Sequence, residues 1–427
     1  MPYNGYYRYR TLAENMSQIK PIPTPFFDGL QQMLTNEDYQ PKIKKAFEED
    51  FKHAKNFLLS YRGSIDTFNS YRRDIERYLQ WCQLIENKPV KQIRREEFER
   101  FLDFCQDPPI SWISTTIENR FIEKDGVKIP NSKWRPFVVK ISKTDTKSGH
   151  KPNKKNYELS EKAFKALFAI VGSFYTYLIQ EDYTLINPTA LIRQKSKYFR
   201  KHQSATPIRR LSEMQWGYVI ETAEIMAKEN SDQYARTLFI MNALYGMYLR
   251  ISELVESKRW SPKMGDFHRD ADGLWWFLTV GKGNKERRIS VSNAMLNALK
   301  EYRKSLKLSP LPSPNEKTPL FTAQKTKQPL KNTRYIRVLV QECFDRACER
   351  LIADNQQEEA EQLANATVHW LRHTGISDDV KTRPREHVRD DAGHSSGAIT
   401  DKYIDVELRE RHGSARKKRI KPDFIDD

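Results

Sequence analysis

The chain has 427 residues, more than one ordinary domain accommodates, so we expect two or three domains. Lys and Arg outnumber Asp and Glu by 73 to 56, and this net charge of +17 favours a polyanionic partner, nucleic acid above all, with plain solubility as the alternative. No apolar run approaches ~18 residues and the N-terminus lacks an apolar stretch, so we expect neither a membrane span nor a secretory leader. The four cysteines form no C-x-x-C, so we expect a cytoplasmic location and neither a disulfide framework nor a zinc site.

The first half of the chain is predicted to be mainly helical. Residues 1–45 are rich in Tyr and interrupted by Pro, which predicts an extended N-terminal arm with one short helix at most. Helical periodicity runs from 46 to 107 and returns after Ser160, a typical N-cap residue. Between them, residues 110–157 are irregular and basic, which indicates an insertion or a DNA-facing loop. We therefore predict a helical domain over 46–194.

A basic linker is predicted at 195–210, followed by a second domain over 211–405 and a basic tail at 406–427. Ser212 and Gln215 fit a capping box, and helices are predicted at about 212–228 and 232–246. An apolar strand at 274–280, turn residues at 281–284 and a strand at 287–291 predict a hairpin, after which the pattern is helical to about 410. The predicted fold is mainly α with a small β-hairpin or sheet.

Five short strings in the last third carry side chains suited to handling a phosphate. They are L-R-I-S-E at 249–253, G-K-G-N-K-E-R at 281–287, H-W-L-R-H-T at 369–374, G-H-S-S at 393–396 and D-K-Y at 401–403. Arg250 and Arg372 are candidates to stabilise negative charge, because a planar guanidinium binds phosphate through two hydrogen bonds and stays charged. Separately these strings are unremarkable; together they describe a site that grips and cleaves one phosphodiester.

Glu253 and Lys282 have two interpretations each. Glu253 lies three residues after Arg250, where it either orients an arginine or histidine or makes an ordinary i,i+3 ion pair. Lys282 lies between two glycines at the predicted hairpin tip. There it either protonates a leaving 5′ oxygen or makes a solvated, non-specific phosphate contact.

Two histidines, His369 and His394, and a tyrosine complete the candidate site. His369 stands three residues before Arg372 on a predicted helix, so both can face one phosphate, and His369 can take or share a proton. His369 and His373 are also spaced like metal ligands, but no Glu follows His369 and no Cys lies near, which argues against a metal. Tyr403, nine residues after His394, is either a packing residue or a nucleophile that needs a base and cations.

The chain resembles the tyrosine recombinase (phage integrase) family over roughly 210–405. L-Y-G-M-Y-L-R-I-S-E-L at 244–254 is similar to the first-arginine box, and F-L-T-V-G-K-G-N-K-E-R-R-I at 277–289 to the lysine hairpin. H-W-L-R-H-T is similar to the His-x-x-Arg box, and G-H-S-S-G-A-I-T-D-K-Y at 393–403 to the box with the nucleophile. Two features depart from the family: Tyr248 stands where glycine is usual, and 377–392 is unusually charged and broken by Pro384.

The resemblance implies a two-domain, C-shaped DNA clamp, with a core-DNA-binding domain in the first half and a mechanism that needs no metal, ATP or other cofactor. Tyr403 would attack the scissile phosphate, giving a 3′-phosphotyrosyl bond and a free 5′ hydroxyl. Lys282 would protonate that oxygen. Arg250 and Arg372 would clamp the phosphate while His369 and His394 assist, with Glu253 in support. The side chains expected to contact DNA are Lys201, Arg209, Arg210, Lys285 and Arg287.

The function expected from this resemblance is site-specific recombination or integration for a mobile element. The expected partners are double-stranded DNA with specific recombination sites and further copies of the chain, a tetramer on DNA, at the nucleoid and without a membrane. Two alternatives remain open: a type IB topoisomerase-like enzyme that relaxes DNA as a monomer, and a non-catalytic DNA-binding regulator. The intact set of six side chains argues against the regulator.

Overall fold

The computed structural model describes residues 21–142, 145–146, 148–190, 192, 209–258, 260–281, 283–323, 326, 328–394, 396–401, 403 and 416. The chain divides into two compact units, Met1–Gln203 and Ser204–Asp427. The predicted linker 195–210 spans this division, but only its last two residues, Arg209 and Arg210, are described. The domain boundaries inferred from sequence therefore stay a prediction.

The first unit is built mainly from helices. They are α1 (Leu30–Thr35), α2 (Glu48–Ser60), α3 (Ile65–Trp81), α4 (Arg95–Gln106) and α5 (Glu161–Gln180), with short 3-10 turns at Lys45–Phe47, Val90–Gln92, Ile110–Trp112 and Lys154–Asn156 and a π turn at Cys82–Glu86. Local sequence starts two of these helices. The Ser64 hydroxyl accepts from the Thr67 amide before α3, and the Ser160 hydroxyl accepts from the Ala163 amide before α5, as predicted for Ser160.

Helix α5 is the apolar centre of the first core. Its buried side chains are Phe164, Leu167, Phe168, Ile170, Val171, Phe174, Tyr175 and Leu178. Among the described residues it is the one helix that is long and apolar enough, by length and composition, to cross a membrane. The sequence had led us to expect no such helix. Because its apolar side chains are packed in the core, packing accounts for that composition.

Segments predicted as an arm and an insertion contribute to the first core. Phe26 and Phe27, from the predicted arm, are buried there, as are Trp112 and Phe137 from the segment 110–157. That segment contains strands β1 (Ile113–Ser114) and β4 (Phe137–Val138), paired in parallel, and a hairpin of β2 (Phe121–Lys124) and β3 (Val127–Pro130). These short pairings lacked a periodic signal because only two to four residues take part.

The second unit packs helices around a three-stranded sheet. Its helices are α6 (Glu213–Glu229), α7 (Ser231–Gly246), α8 (Asn293–Ser305), α9 (Thr333–Ala353), α10 (Gln357–Ala364), α11 (Val368–Asp379), α12 (Arg385–Ala392) and α13 (Gly397–Asp401), with 3-10 turns at Ile251–Leu254 and Met264–Asp266. Its strands are β5 (Phe267–Arg269), β6 (Trp275–Val280) and β7 (Glu286–Ser290). The predicted capping box of α6 is present, since Ser212 and Gln215 exchange hydrogen bonds of 3.1 and 2.9 Å.

The sheet contains the predicted hairpin and one further strand. Strands β6 and β7 are antiparallel, with Phe277 opposite Ile289, and β5 pairs with β6 so that Phe267 lies opposite Phe277. These three side chains are at most 1% exposed and anchor the sheet in the second core. These side chains therefore hold the paired strands of the hairpin in the second core.

The prediction of continuous helix after the hairpin is wrong for 306–332, where the described residues form no helix. Leu320, Phe321 and Leu330 from this stretch are buried in the second core, so packing rather than local periodicity holds it. The break predicted at Pro384 is present, because α11 ends at Asp379 and α12 begins directly after Pro384. The predicted fold class, mainly α with a small sheet, is confirmed.

Candidate active site

The motif residues of the second unit converge from five parts of its fold. Arg250 precedes the 3-10 turn that follows α7, Arg372 lies on α11, His394 follows α12 and Tyr403 follows α13. Arg287, on β7, completes the positively charged group. Tertiary packing therefore assembles the site from segments that are distant in sequence.

Glu253 is a buried carboxylate that holds two arginines. Its side chain is 2% exposed and accepts from Arg287 Nη1 and Nη2 at 2.7 and 2.8 Å and from Arg250 Nη1 at 3.0 Å. Its Oε2 also accepts from the Arg250 backbone amide at 2.8 Å. Burial would raise the pKa of Glu253, but the hydrogen bonds and charges of Arg287 and Arg250 outweigh it and hold the pKa below its usual range. Glu253 thus makes the i,i+3 ion pair with Arg250, in a buried position, and its role in orienting that arginine stays a prediction.

Two glycines allow this cluster to lie close to the backbone. A Cβ on Gly281 would lie 2.9 Å from Arg287 Nη1 and 3.1 Å from Glu253 Oε1. Gly393 ends α12 in the left-handed conformation at φ 64°, and a Cβ there would lie 2.8 Å from Arg287 Cδ. Its carbonyl accepts from Arg250 Nη2 at 3.3 Å. Larger residues at either position would displace the arginines.

Arg372 is almost completely buried, at 3% exposure. Its Nη1 donates to the Tyr248 carbonyl, and its Nη2 donates to the Ala392 carbonyl at 2.6 Å and contacts His394 Nε2 at 3.4 Å. Burial and the positive charge of Arg250 lower the pKa of Arg372 to about 9, so the guanidinium remains charged at neutral pH. These contacts fix the guanidinium plane before any substrate arrives.

Tyr248 has a backbone conformation that explains why its position favours glycine. Its φ is 50°, in the left-handed region, where a bulky side chain is unfavourable. The side chain is nevertheless 1% exposed, and its hydroxyl bonds to Asp379 and accepts from Arg383 Nη1 at 2.9 Å. Burial and these hydrogen bonds compensate for the strain, and the left-handed backbone presents the Tyr248 carbonyl to Arg372.

Three charged side chains of 377–392 form one network beside Tyr248. Arg383 donates to Asp379 at 3.1 Å and to Asp391 at 2.6 Å. Asp391 in turn accepts from the Ser290 amide at 3.1 Å and the Ser290 hydroxyl at 2.5 Å. The network ties α11 and α12 to strand β7, so these charges support the site.

The histidines of the site favour their uncharged forms. The pKa of His373 is lowered to about 4 by burial and by its positive neighbours, His369 first. The pKa of His394 is likewise lowered to about 4, by burial and by Arg372. His369 is exposed to solvent, yet local burial and the charges of Arg372 and Arg250 lower its pKa as well. Neutral imidazoles can accept protons.

Tyr403 lies between two of these rings and is 9% exposed. Its hydroxyl lies 2.6 Å from His373 Nδ1, and its ring stacks on His394 with centroids 5.7 Å apart. Burial raises the pKa of Tyr403, while the charges of Arg372 and Arg250 act in the opposite direction. The phenol is thus held in a cationic surrounding, with a proton acceptor in contact.

The residues predicted to contact DNA differ in their exposure to solvent. Lys285 and Arg209 are exposed and Arg210 is partly exposed, whereas Lys201 lies outside the described residues. The position of Arg287 argues against the predicted DNA contact. Its side chain is 10% exposed, and its guanidinium binds Glu253 and the Asp391 carbonyl. The predicted proton donor, Lys282, also lies outside the described residues.

Three contributors were not predicted as site residues. His373 was considered only as a metal ligand, although a histidine one turn after His369 must face the same side of the helix. Arg383 and Asp391 stood out only as part of a charged stretch, and no local signal indicates that they meet. Among the described residues, no group of three or more His, Cys, Asp or Glu side chains is placed to hold a metal ion.

The arrangement can bind one phosphodiester and supply a nucleophile to it. Arg250 and Arg372 provide fixed positive charge, which stabilises an anion that gains charge during reaction. Tyr403 provides a hydroxyl in contact with a neutral imidazole, as nucleophilic catalysis by a weak acid requires.

Comparison with known proteins identifies the same region. Residues 216–410 match the model of the phage integrase family. A 249-residue stretch is 24% identical to the tyrosine recombinase XerD of Staphylococcus saprophyticus, covering 58% of this chain and 72% of the relative. A stretch of 148 residues is 30% identical to XerD of Rickettsia prowazekii, covering 34% of this chain and 43% of the relative. The chain thus spans less than half of the length of that relative.

The fold is similar to that of the XerH site-specific recombinase, solved bound to a palindromic difH substrate as a post-cleavage complex. The TM-score is 0.52 at 14% identity, over 91% of this chain and 94% of that chain. This likeness concerns the fold, while the family match covers the segments that assemble the site. The region that assembles the site, residues 216–410, is thus similar to the phage integrase family, and the relatives it matches are tyrosine recombinases.

Proposed function

We propose that this protein cuts and rejoins DNA at specific sites through a 3′-phosphotyrosyl bond to Tyr403. The observation that carries the proposal is the position of the Tyr403 hydroxyl. It lies 2.6 Å from His373, on a ring stacked against His394, whose Nε2 lies 3.4 Å from the buried Arg372. A tyrosine serving only to pack the core would need neither the neutral imidazole nor the cations.

In the proposed reaction, the Tyr403 oxygen attacks the phosphorus while the bond to the 5′ oxygen breaks in line. Arg250, held by Glu253, and Arg372, held by the Tyr248 and Ala392 carbonyls, stabilise the charge on the non-bridging oxygens. Lys282 protonates the leaving 5′ oxygen, while His369 and His394 assist at the phosphate. Attack by a 5′ hydroxyl on the phosphotyrosine reverses these steps and rejoins the strand.

The phosphotyrosyl bond conserves the energy of the broken phosphodiester, so the proposed reaction consumes no ATP and needs no metal. The proposed substrate is double-stranded DNA carrying a pair of recombination sites, joined by a tetramer of this chain. The biological task is movement of a mobile element. The net charge of +17 supports the choice of DNA, and we expect affinity to fall steeply with added salt through release of counterions.

The test begins by finding the DNA site. Purified protein is incubated with nicked genomic DNA from its source, and DNA attached covalently to protein is isolated under denaturing conditions without a cross-linker and sequenced. A duplex with the recovered sequence, nicked so that the cleaved end diffuses away, then traps the intermediate. Wild-type protein should form an adduct whose DNA has a free 5′ hydroxyl and a blocked 3′ end, unaffected by EDTA.

Tyr403→Phe should abolish the adduct and keep salt-sensitive DNA binding. Tyr218→Phe is the matched control, because its hydroxyl bonds to Asp354 outside the site. An adduct that persists in Tyr403→Phe, or none with wild type, would contradict the proposal. Relaxation of plasmids that lack the recovered sequence would instead favour the topoisomerase-like alternative.

A further inference from the structure

His373 contacts the reacting atom but has no part in the steps above. It lies on α11, one helical turn after His369, and its Nδ1 is 2.6 Å from the Tyr403 hydroxyl oxygen. The two rings are 5.4 Å apart at 35°. This distance is that of a short hydrogen bond between a hydroxyl and a nitrogen.

The other two histidines of the site are less well placed to take the phenol proton. His394 Nε2 contacts Arg372 Nη2 at 3.4 Å, and because a guanidinium only donates, this nitrogen must be the acceptor. His394 Nδ1 then carries the proton, directed at Thr400 Oγ1 2.9 Å away. Its ring faces the tyrosine by stacking, so neither nitrogen is aimed at the hydroxyl.

The recorded ring contact of His369 is with His373. The His369 and His373 ring centroids are 4.4 Å apart, edge to face. Among the described residues, the hydrogen-bond partner of the Tyr403 hydroxyl is His373 Nδ1. Geometry therefore selects His373 over the family-like assignment to His369.

The electrostatic surroundings keep His373 ready to accept a proton. The groups that face it are His369 and Arg372 on its own helix, and His394 and Tyr403 from the segments packed against it. Burial and the positive neighbours hold its ring neutral at pH 7. When a DNA phosphate enters, its negative charge favours the protonated ring, so substrate binding itself strengthens the base.

We propose that His373 is the general base that removes the proton from Tyr403 as it attacks the DNA phosphate, an inference that rests on the proposed function. The O–H bond of Tyr403 breaks and an N–H bond forms at Nδ1, as the O–P bond forms and the P–O5′ bond breaks. The 5′ oxygen takes its proton from the acid assigned to Lys282. During rejoining, His373 returns its proton to the departing phenol oxygen.

The first experiment compares His373→Gln with His387→Gln, an exposed histidine of α12, in single-turnover adduct formation. Glutamine can accept the hydroxyl hydrogen bond but cannot take the proton. We expect the rate to fall by about 10²-fold or more for His373→Gln, the usual contribution of a general base, while the control keeps the wild-type rate. Equal rates in the two variants would show that His373 only positions the tyrosine and would overturn the proposal.

Replacing the leaving 5′ oxygen by sulfur separates the base from the acid, because a thiolate leaves without a proton. This substrate should restore Lys282→Ala and leave His373→Gln slow. Restoration of His373→Gln to the same degree would place its defect on the leaving group and overturn the proposal.

Chemical rescue supplies a readout that a structural role would not move. In His373→Ala, which vacates the imidazole position, added imidazole should restore adduct formation in proportion to its neutral fraction. Circular dichroism and DNA binding establish that the variant is folded. A folded His373→Ala that imidazole does not accelerate would contradict the base role. If wild-type protein forms no adduct, the proposed function itself fails, which distinguishes the two outcomes.

Discussion

Among the described residues, the charged side chains buried in the first unit are carboxylates, whereas the second unit buries guanidinium groups as well as carboxylates. In the first unit the buried charges that organise the fold are carboxylates: Glu76 accepts from the amides of Phe26 and Phe27 at 2.7 and 3.1 Å, and Asp50 accepts from the Val90 amide at 2.9 Å. In the second unit a buried guanidinium, Arg372, is held by backbone carbonyls.

The difference separates charge used for architecture from charge used for chemistry. A buried carboxylate that accepts amides attaches one segment of chain to another, and its negative charge is consumed by those bonds. Carbonyls neutralise Arg372 only through dipoles, so its net positive charge remains available to an anion. Substitution of these buried carboxylates should therefore lower the stability of the first unit, and substitution of Arg372 should lower the reaction rate.

The largest effect is expected for Arg372→Lys. A lysine has one nitrogen in place of the planar fork, so it cannot hold the Tyr248 and Ala392 carbonyls and also face a phosphate. Adduct formation should slow by about 10²–10³-fold, the usual loss for one donor to a developing oxyanion. Single-turnover kinetics measure it, with Arg346→Lys on α9, 39% exposed, as the control. A rate equal to that of the control would show that the buried charge of Arg372 is not used for chemistry.

Asp50 predicts a pH-dependent stability in the first unit. Burial raises its pKa to about 6 from 3.8, against hydrogen bonds from Tyr183 and Val90. Because the folded-state pKa lies above the unfolded-state value, protonation favours the folded protein, and stability falls as pH rises from about 4 to about 6. The total loss is about 3 kcal/mol at ~1.36 kcal/mol for each unit of pKa.

Urea unfolding of wild type and Asp50→Asn from pH 4 to 7 measures this effect. The stability of wild type relative to the variant should decrease through that range and become constant above it. Asp66→Asn, which removes an exposed carboxylate of the same unit, is the control variant. Parallel curves for wild type and Asp50→Asn would mean that Asp50 is ionised without penalty.

Glu76→Gln should destabilise the first unit by about 2 kcal/mol, because a buried carboxylate that accepts several hydrogen bonds becomes an amide. The amide cannot satisfy Phe26, Phe27 and the ion pair with Arg120 together. Urea unfolding and hydrogen exchange at the Phe26 and Phe27 amides report the change. Glu99→Gln, which breaks an exposed pair with Arg95, should cost well under 1 kcal/mol. An equal loss of unfolding free energy in the two variants would show that burial does not increase the contribution of Glu76 to stability.

The smallest effect is expected for Tyr248→Phe, about 1 kcal/mol in thermal unfolding, because it removes one hydroxyl from the network with Asp379 and Arg383. The backbone carbonyl that holds Arg372 is retained, so the adduct rate should change little. A large fall in rate would show that the hydroxyl network, rather than the left-handed backbone, positions Arg372.

Much of the fold could be predicted because its signals are local. The helical periods of α5, α6 and α7, the caps Ser160 and Ser212 and the hairpin of β6 and β7 all depend on residues close in sequence. The third strand, β5, could not be predicted because it has only three residues, although its partner β6 follows it directly. The stretch 306–332 could not be predicted because its own pattern is irregular and one of its bridges, from Pro319, reaches back to Lys263.

For the candidate site, the predictable part was the choice of side chains: two arginines, a lysine, two histidines and a tyrosine in an order typical of one family. Which side chains come into contact depends on how the chain packs in three dimensions. His369 and His373 share one helix face, so spacing cannot choose between them, and the packing of Tyr403 against α11 brings His373 into contact. Two further features also depend on three-dimensional packing and have no signal in sequence spacing. They are the ion pair of Arg287 with Glu253 and the left-handed backbone of Tyr248.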